Sequence, residues 1–308
     1  HPLLQKYIIM GFKGIYKDKS SASKIILLLL LICISLFIHT LVVTGIILLF
    51  SDTGMTIIQH QDLSNQTSVN YLKLMQLFSG VGLFITPVLL YAYLTNFDFK
   101  FTRITRQDII LVFTIMLLIT PFVTLLLEWN MKIPLPESLL VFNTNSAAIV
   151  EAFLKMSTIS DLIYTLLVIA VVPAIGEELV FRGYLQQNIQ KWGQNIHVAI
   201  IITAFLFSAI HLEFQAFIPR FVLGILLGYL YYWSGSLWLP ILAHFANNAQ
   251  GVIFSYPLFR VDSGVYSVFS MPQVDPMLAL FSFGAVVLLL YVLYQNLNIK
   301  KDDRHPIE

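Results

Sequence analysis

With 308 residues, 57% of them hydrophobic and only 11% charged, the chain is too poor in charge for a soluble domain, where about 25% is usual. Its net charge of +1 offers nothing to a nucleic acid, and its single cysteine, Cys33, excludes an intramolecular disulfide and a cysteine metal cluster. What the sequence has instead is a series of apolar runs of about 20 residues, each long enough to cross a bilayer as a helix.

Residues His1 to Lys24 hold five lysines (Lys6, Lys13, Lys17, Lys19 and Lys24) among Tyr7, Ile8, Ile9, Met10 and Phe12. This basic lead-in suits the cytoplasmic membrane surface. A first helix is expected over Ile25 to Phe50. It is too long for a removable signal peptide and lacks a small-residue cleavage site, so it is read as retained. Cys33 and His39 within it are read as packing residues. The next loop, Ser51 to Asn70, carries Asp52 and Asp62 and no Lys or Arg, which places it outside.

A second helix is expected over Tyr71 to Leu94, followed by an inside loop with Lys100, Arg103 and Arg106. A third spans Ile109 to Leu127. Pro134 and Pro136 then break the chain before an amphipathic stretch, Ala147 to Met156, lying along the outer interface or packed on the bundle. The fourth runs from Leu162 through two glutamates to about Gln187, with Pro173 expected to bend it just before the glutamate turn. Helices five, six and seven follow over His197 to Leu212, Phe217 to Trp233 and Leu237 to Ser255. A loop with Pro257 and Pro272 leads to an eighth, Pro276 to Tyr294, and a tail with Lys300, Lys301 and Arg304.

The fold class is therefore an all-α polytopic membrane bundle of about eight helices, with both termini cytoplasmic; Arg220 and Arg260, outside in this scheme, dissent mildly. The organisation reads as a lead-in (1–24), an N-terminal helical part (25–161), a core (162–294) and a tail (295–308). Phe221 to Gly228 contains a Gly-x-x-x-Gly spacing, read as close contact inside the bundle. Trp233 and Trp238 read as interface anchors.

Ionisable groups inside apolar runs mark functional sites by default, and here they cluster late. In Gly176-Glu177-Glu178-Leu179-Val180-Phe181-Arg182, Glu178 and Arg182 share a helix face and pair, acid before base. Glu177 points elsewhere, free to act as a base. His211 closes Phe207-Ser208-Ala209-Ile210-His211. His244 and Asn248 lie four apart on one face of the seventh helix. Each alone reads as a structural hydrogen-bonding group. Together they supply what hydrolysis needs: a carboxylate to take a proton from water, an imidazole to position it, and an imidazole and carboxamide to donate to an oxyanion. Two histidines with glutamates equally suit a zinc ion that activates water. Ser208 reads as a packing serine and Glu213 as an interfacial acid.

The order Glu-Glu-x-x-x-Arg, Phe-x-x-x-His, His-x-x-x-Asn resembles the CPBP superfamily of membrane proteins, which includes the type II CAAX prenyl endopeptidases and the Abi proteins. The resemblance covers about Leu162 to Phe254. It implies an intramembrane endopeptidase, often called a metalloendopeptidase, in a bacterial inner membrane. By the same resemblance Glu177 is the general base, His211 shares its water, Glu178 and Arg182 support them, and His244 and Asn248 form the oxyanion hole. No cofactor is needed in this scheme. If a metal is present, Glu177, His211 and His244 hold it, with zinc the candidate. The partners implied are membrane lipid and a membrane-associated peptide or lipidated protein, a prenylated tail or a leader peptide. A transporter would need inverted repeats, which the sequence lacks; an idle peptide-binding or immunity protein would keep the same cavity.

Overall fold

A computed structural model describes residues 11–51, 54–59, 62–259 and 274–302 of the chain. Lys6 to Met10, Asp52, Arg260, Pro272 and Arg304 lie outside the described residues. Among those described, the fold is all-helical and contains no strand.

Ten helices carry the architecture among the described residues: α1 (Ser21–Phe50), α2 (Gln66–Thr95), α3 (Arg106–Leu118), α4 (Thr120–Met131), α5 (Glu137–Phe153), α6 (Ile159–Gly193), α7 (Ile196–Ala209), α8 (Phe217–Ser234), α9 (Trp238–Ser255) and α10 (Pro276–Asp302). A six-residue helix, Gly54–Gln59, lies between α1 and α2. Their starts are written locally. The Ser20 and Asn65 side chains accept from first-turn amides of α1 and α2. Thr105 with Asp108, and Thr158 with Asp161, close reciprocal capping boxes at α3 and α6.

Five helical segments, those of α1, α2, α6, α8 and α10, are long and apolar enough to cross a membrane, and the α3–α4 pair, bent by 40° ahead of Pro121, makes six if it is one span. The expected count of about eight is not confirmed. Helix α7 has 14 residues, a rise of about 21 Å at 1.5 Å per residue, short of the roughly 30 Å hydrocarbon core. Helix α9 carries His244, Asn247, Asn248 and Gln250 in its 18 residues and owes its place to the helices around it. Outward-facing Leu, Ile and Phe side chains on α1 and α10 complete the character of an integral membrane protein.

The core lies in three patches. One joins α3, α8, α9 and α10 through Ile115, Leu230, Leu239 and Leu293. A second joins α1, α2, α6, α8 and α9 through Val88, Leu179 and Tyr231. A third seats α5 on α2 and α6 through Leu72, Phe153 and Val168, so the amphipathic stretch packs on the bundle. There the fully buried Lys73 donates from Nζ to Thr165 Oγ1 at 2.8 Å and lies over the rings of Phe153 and Tyr164.

Helices α7 and α8 form an antiparallel pair around the Gly-x-x-x-Gly spacing. Gly224 lies against Ala204, and a Cβ on Gly228 would come within 2.8 Å of Ile200. The glycines also bare their carbonyls to α6: Gly224 O accepts from Arg182 Nη2 at 2.8 Å and Gly228 O from Gln186 Nε2 at 3.1 Å. Two side chains one turn apart on α6 thus grip two carbonyls one turn apart on α8. His39 bonds the Ser35 carbonyl in its own helix and packs on Gly82, a packing role as expected. Ser208 is likewise buried and donates to Phe217 O.

Candidate active site

The expected bend at Pro173 is taken up within a helix that continues. Its peptide sits in an α-helical turn, Val172–Glu178, flanked by two wider π-helical stretches, Leu167–Val171 and Leu179–Gln186. Such widenings often mark functional sites. They place Glu177 and Glu178 at the junction of α6 with α8 and α9.

Glu178 and Arg182 are fully buried and meet at 2.6 Å through Oε1 and Nη1. Oε1 has a second partner, His244 Nδ1, at 2.8 Å. Arg182 also stacks on the Phe207 ring, 4.7 Å from its centroid. That ring stands edge-on to Phe181, His211 and His244. Arg182 is therefore held by a carboxylate, a backbone carbonyl and an aromatic face, while its Nε and Glu178 Oε2 have no hydrogen-bond partner among the described residues.

Glu177 projects to the other side. Its Oε2 lies 3.9 Å from His211 Nε2 and 3.9 Å from His244 Nε2. The three side chains come from α6, from the turn after α7, and from α9. They keep a little exposure: 13% for Glu177, 26% for His211 and 7% for His244.

The tautomers follow from the partners. His211 Nδ1 lies 2.8 Å from the Phe207 carbonyl, which only accepts, so the ring donates from Nδ1. His244 Nδ1 faces an ionised Glu178 and donates as well. In neutral form both rings turn a bare Nε2 lone pair toward Glu177. As an imidazolium, His244 donates from both nitrogens.

Asn248 is one turn beyond His244 on α9, and its Nδ2 donates to the carbonyl of Ile169 at 3.2 Å. In a regular helix the N–H of residue 173 would take that carbonyl, but Pro173 has none. Asn247 Nδ2 donates to Asn248 Oδ1 at 3.1 Å, fixing which end of the amide faces α6. Neither link was legible from the motifs, though a proline four residues after Ile169 announces a free carbonyl there.

All six expected side chains thus lie around one junction. Two imidazoles converge on one Glu177 oxygen, Glu178 and Arg182 lock one of them, and Asn248 is held on the Ile169 carbonyl one turn beyond His244. Glu177, His211 and His244 are the donor types of a catalytic zinc centre with two histidines and a glutamate. Both Nδ1–H groups are tied to a carboxylate or a carbonyl, as ligating histidines usually are. Among the described residues, however, no three His, Cys, Asp or Glu side chains form a group spaced to hold a metal ion. Glu213, read as an interfacial acid, pairs with Arg220 of α8.

Residues 159–250 match the family model described as type II CAAX prenyl endopeptidase Rce1-like. All three motifs fall inside that segment, and the resemblance to the CPBP and CAAX-protease superfamily holds there. The chain is also similar to the uncharacterized protein YpbD of Bacillus subtilis (strain 168), 33% identical over 103 residues that make up 32% of this chain and 47% of the relative. An uncharacterized 24.3 kDa protein of Escherichia coli is 30% identical over 101 residues, 32% of this chain and 46% of that protein. The chain spans about half the length of these curated relatives. No solved structure matches it.

Proposed function

We propose that this protein is an intramembrane endopeptidase that hydrolyses a peptide bond in a membrane-associated peptide or lipidated protein. The observation that carries it is the convergence of His211 Nε2 and His244 Nε2 on Glu177 Oε2, each at 3.9 Å, with both Nδ1 atoms already committed. A water between them has a carboxylate to take its proton and an imidazole lone pair to hold its other hydrogen.

Glu177 removes the proton as the water oxygen bonds to the scissile carbonyl carbon. The developing oxyanion is met by the second N–H of Asn248 and, in its imidazolium form, by Nε2–H of His244, whose charge faces the Glu177 carboxylate before the proton moves and the oxyanion after it. Glu177 then returns the proton to the departing amine as the C–N bond breaks. Glu178 and Arg182 hold the His244 ring in place.

A second reading is a zinc-dependent form of the same hydrolysis, favoured by the same bare Nε2 atoms. Glu177, His211 and His244 would hold the ion, which would supply Lewis-acid activation of the water. In either form the substrate is a prenylated tail or a leader-like peptide met at the cytoplasmic face of a bacterial inner membrane, with the chain's termini on that side.

The test is cleavage of quenched fluorescent peptides, farnesylated tails included, by purified wild type and Glu177→Gln in detergent. Glutamine keeps the size but takes no proton. Loss of roughly two to four orders of magnitude in rate is expected for a missing general base. Equal cleavage by both would remove Glu177 from the mechanism. Loss of activity on chelation, restored by zinc, would select the second reading.

A further inference from the structure

The connection leaving His211 carries an ion pair that the proposed hydrolysis does not use. Glu213 stands two residues after His211, and Arg220, in the first turn of α8, donates to it from Nη2. The pair is partly open, Arg220 to 19% and Glu213 to 26%. On its covered side, Arg220 Nη1 is buried and has no hydrogen-bond partner among the described residues. Two residues of chain span at most about 7 Å, so Glu213, and Arg220 with it, stands beside His211.

A guanidinium presents its donors as a rigid fork that matches a carboxylate. Glu213 occupies one prong. A covered donor without an acceptor is unfavourable, so the arrangement fits a second state in which an acceptor has arrived. We propose that Arg220 recognises a carboxylate of the substrate, held within about one to three residues of the scissile bond. This rests on the hydrolase reading above and adds the chemical class of the group recognised. A single negative charge fits best: Glu213 already occupies part of the guanidinium, and a dianion such as phosphate would meet that carboxylate. A peptide offers the group from two sources, its C-terminal carboxylate or an Asp or Glu side chain.

The test uses the full-length protein and one peptide library in three forms: C-terminal acid, C-terminal amide, and acid with every internal Asp and Glu replaced by Asn and Gln. Wild type is expected to favour the acid form over the amide by tenfold or more in kcat/KM, mainly through KM, if the C-terminal carboxylate is recognised. If a side chain is the source, the third form loses that factor instead. Arg220→Gln should collapse whichever ratio wild type shows, and Glu213→Gln, which frees the second prong, should raise it. Thermal unfolding in detergent establishes that each variant is folded. Ratios unchanged in folded Arg220→Gln would overturn the proposal, as would no preference in wild type. The same three forms titrated against Glu177→Gln by tryptophan fluorescence separate the two readings. A carboxylate preference in binding without cleavage by wild type sinks the protease but keeps Arg220; cleavage without preference sinks Arg220 alone.

Discussion

Glu178 and His244, 66 residues apart in the chain, meet through Oε1 and Nδ1 at 2.8 Å, on the same oxygen that holds Arg182. The structural ion pair and the orientation of a site imidazole therefore depend on one atom. Glu178→Gln leaves a buried guanidinium without its counter-charge and should cost roughly 3–5 kcal/mol of stability. Replacing both partners, Glu178→Met with Arg182→Met, should recover most of that loss, because a buried pair exchanged for apolar side chains is often neutral. Activity should stay low in the double variant, since His244 has lost its acceptor. Unfolding in detergent beside peptide cleavage separates the two effects; a double variant as active as wild type would mean that Glu178 does not orient the ring.

Pro173→Ala should move stability and activity in opposite directions. The new N–H can take the Ile169 carbonyl, so the helix gains a bond that proline denies it. Asn248 then shares its acceptor with the backbone and its amide is held less firmly. Melting temperature should hold or rise, while kcat falls by up to about 100- to 1,000-fold, the range for losing an oxyanion donor, the role proposed for Asn248. A variant with unchanged kcat would show that the proline does not set the amide.

Gly176 precedes the Glu177–Glu178 turn, and a Cβ there would stand 2.7 Å from Cβ of Phe84 on α2. That neighbour is anchored to the backbone and cannot swing aside. Gly176→Ala should cost about 1–3 kcal/mol as an overpacking strain, and a second change, Phe84→Ala, should return part of it. A Gly176→Ala protein as stable as wild type in a thermal melt would show that α2 and α6 separate freely.

Lys73 offers a contrasting expectation. It is fully buried, and the partner its Nζ donates to is a neutral hydroxyl, Thr165 Oγ1. Lys73→Met keeps the length and removes a desolvated charge, so stability should be equal or higher. Cleavage rate should not change, because the residue lies in the α2–α5–α6 patch away from Glu177. A large fall in melting temperature would show that the ammonium and its ring contacts outweigh its desolvation.

What the sequence discloses of this architecture depends on the reach of each interaction. The Glu178–Arg182 pair is written in a four-residue spacing, and helical geometry alone brings the two side chains together. The Gly-x-x-x-Gly contact on α8 is equally local in origin. The partners of His244 and Asn248 lie on α6, and only packing of α6 against α9 reveals which nitrogen is free and which carbonyl is taken. Arg220 dissents from the topology scheme because charge counting ignores pairing; Glu213, seven residues earlier, is its partner. The span count diverged because α7 and α9 pattern as helices but draw their cover from neighbouring helices rather than from length.

Gly224 O, Arg182, Glu178 and His244 form an unbroken line of contacts across α8, α6 and α9. Arg182 is the middle of that line, and its planar fork has no slack at 2.8 Å on one side and 2.6 Å on the other. The gap between α6 and α8 and the aim of the α9 imidazole are thus one mechanical variable. A change in that gap therefore bears directly on the ring beside Glu177.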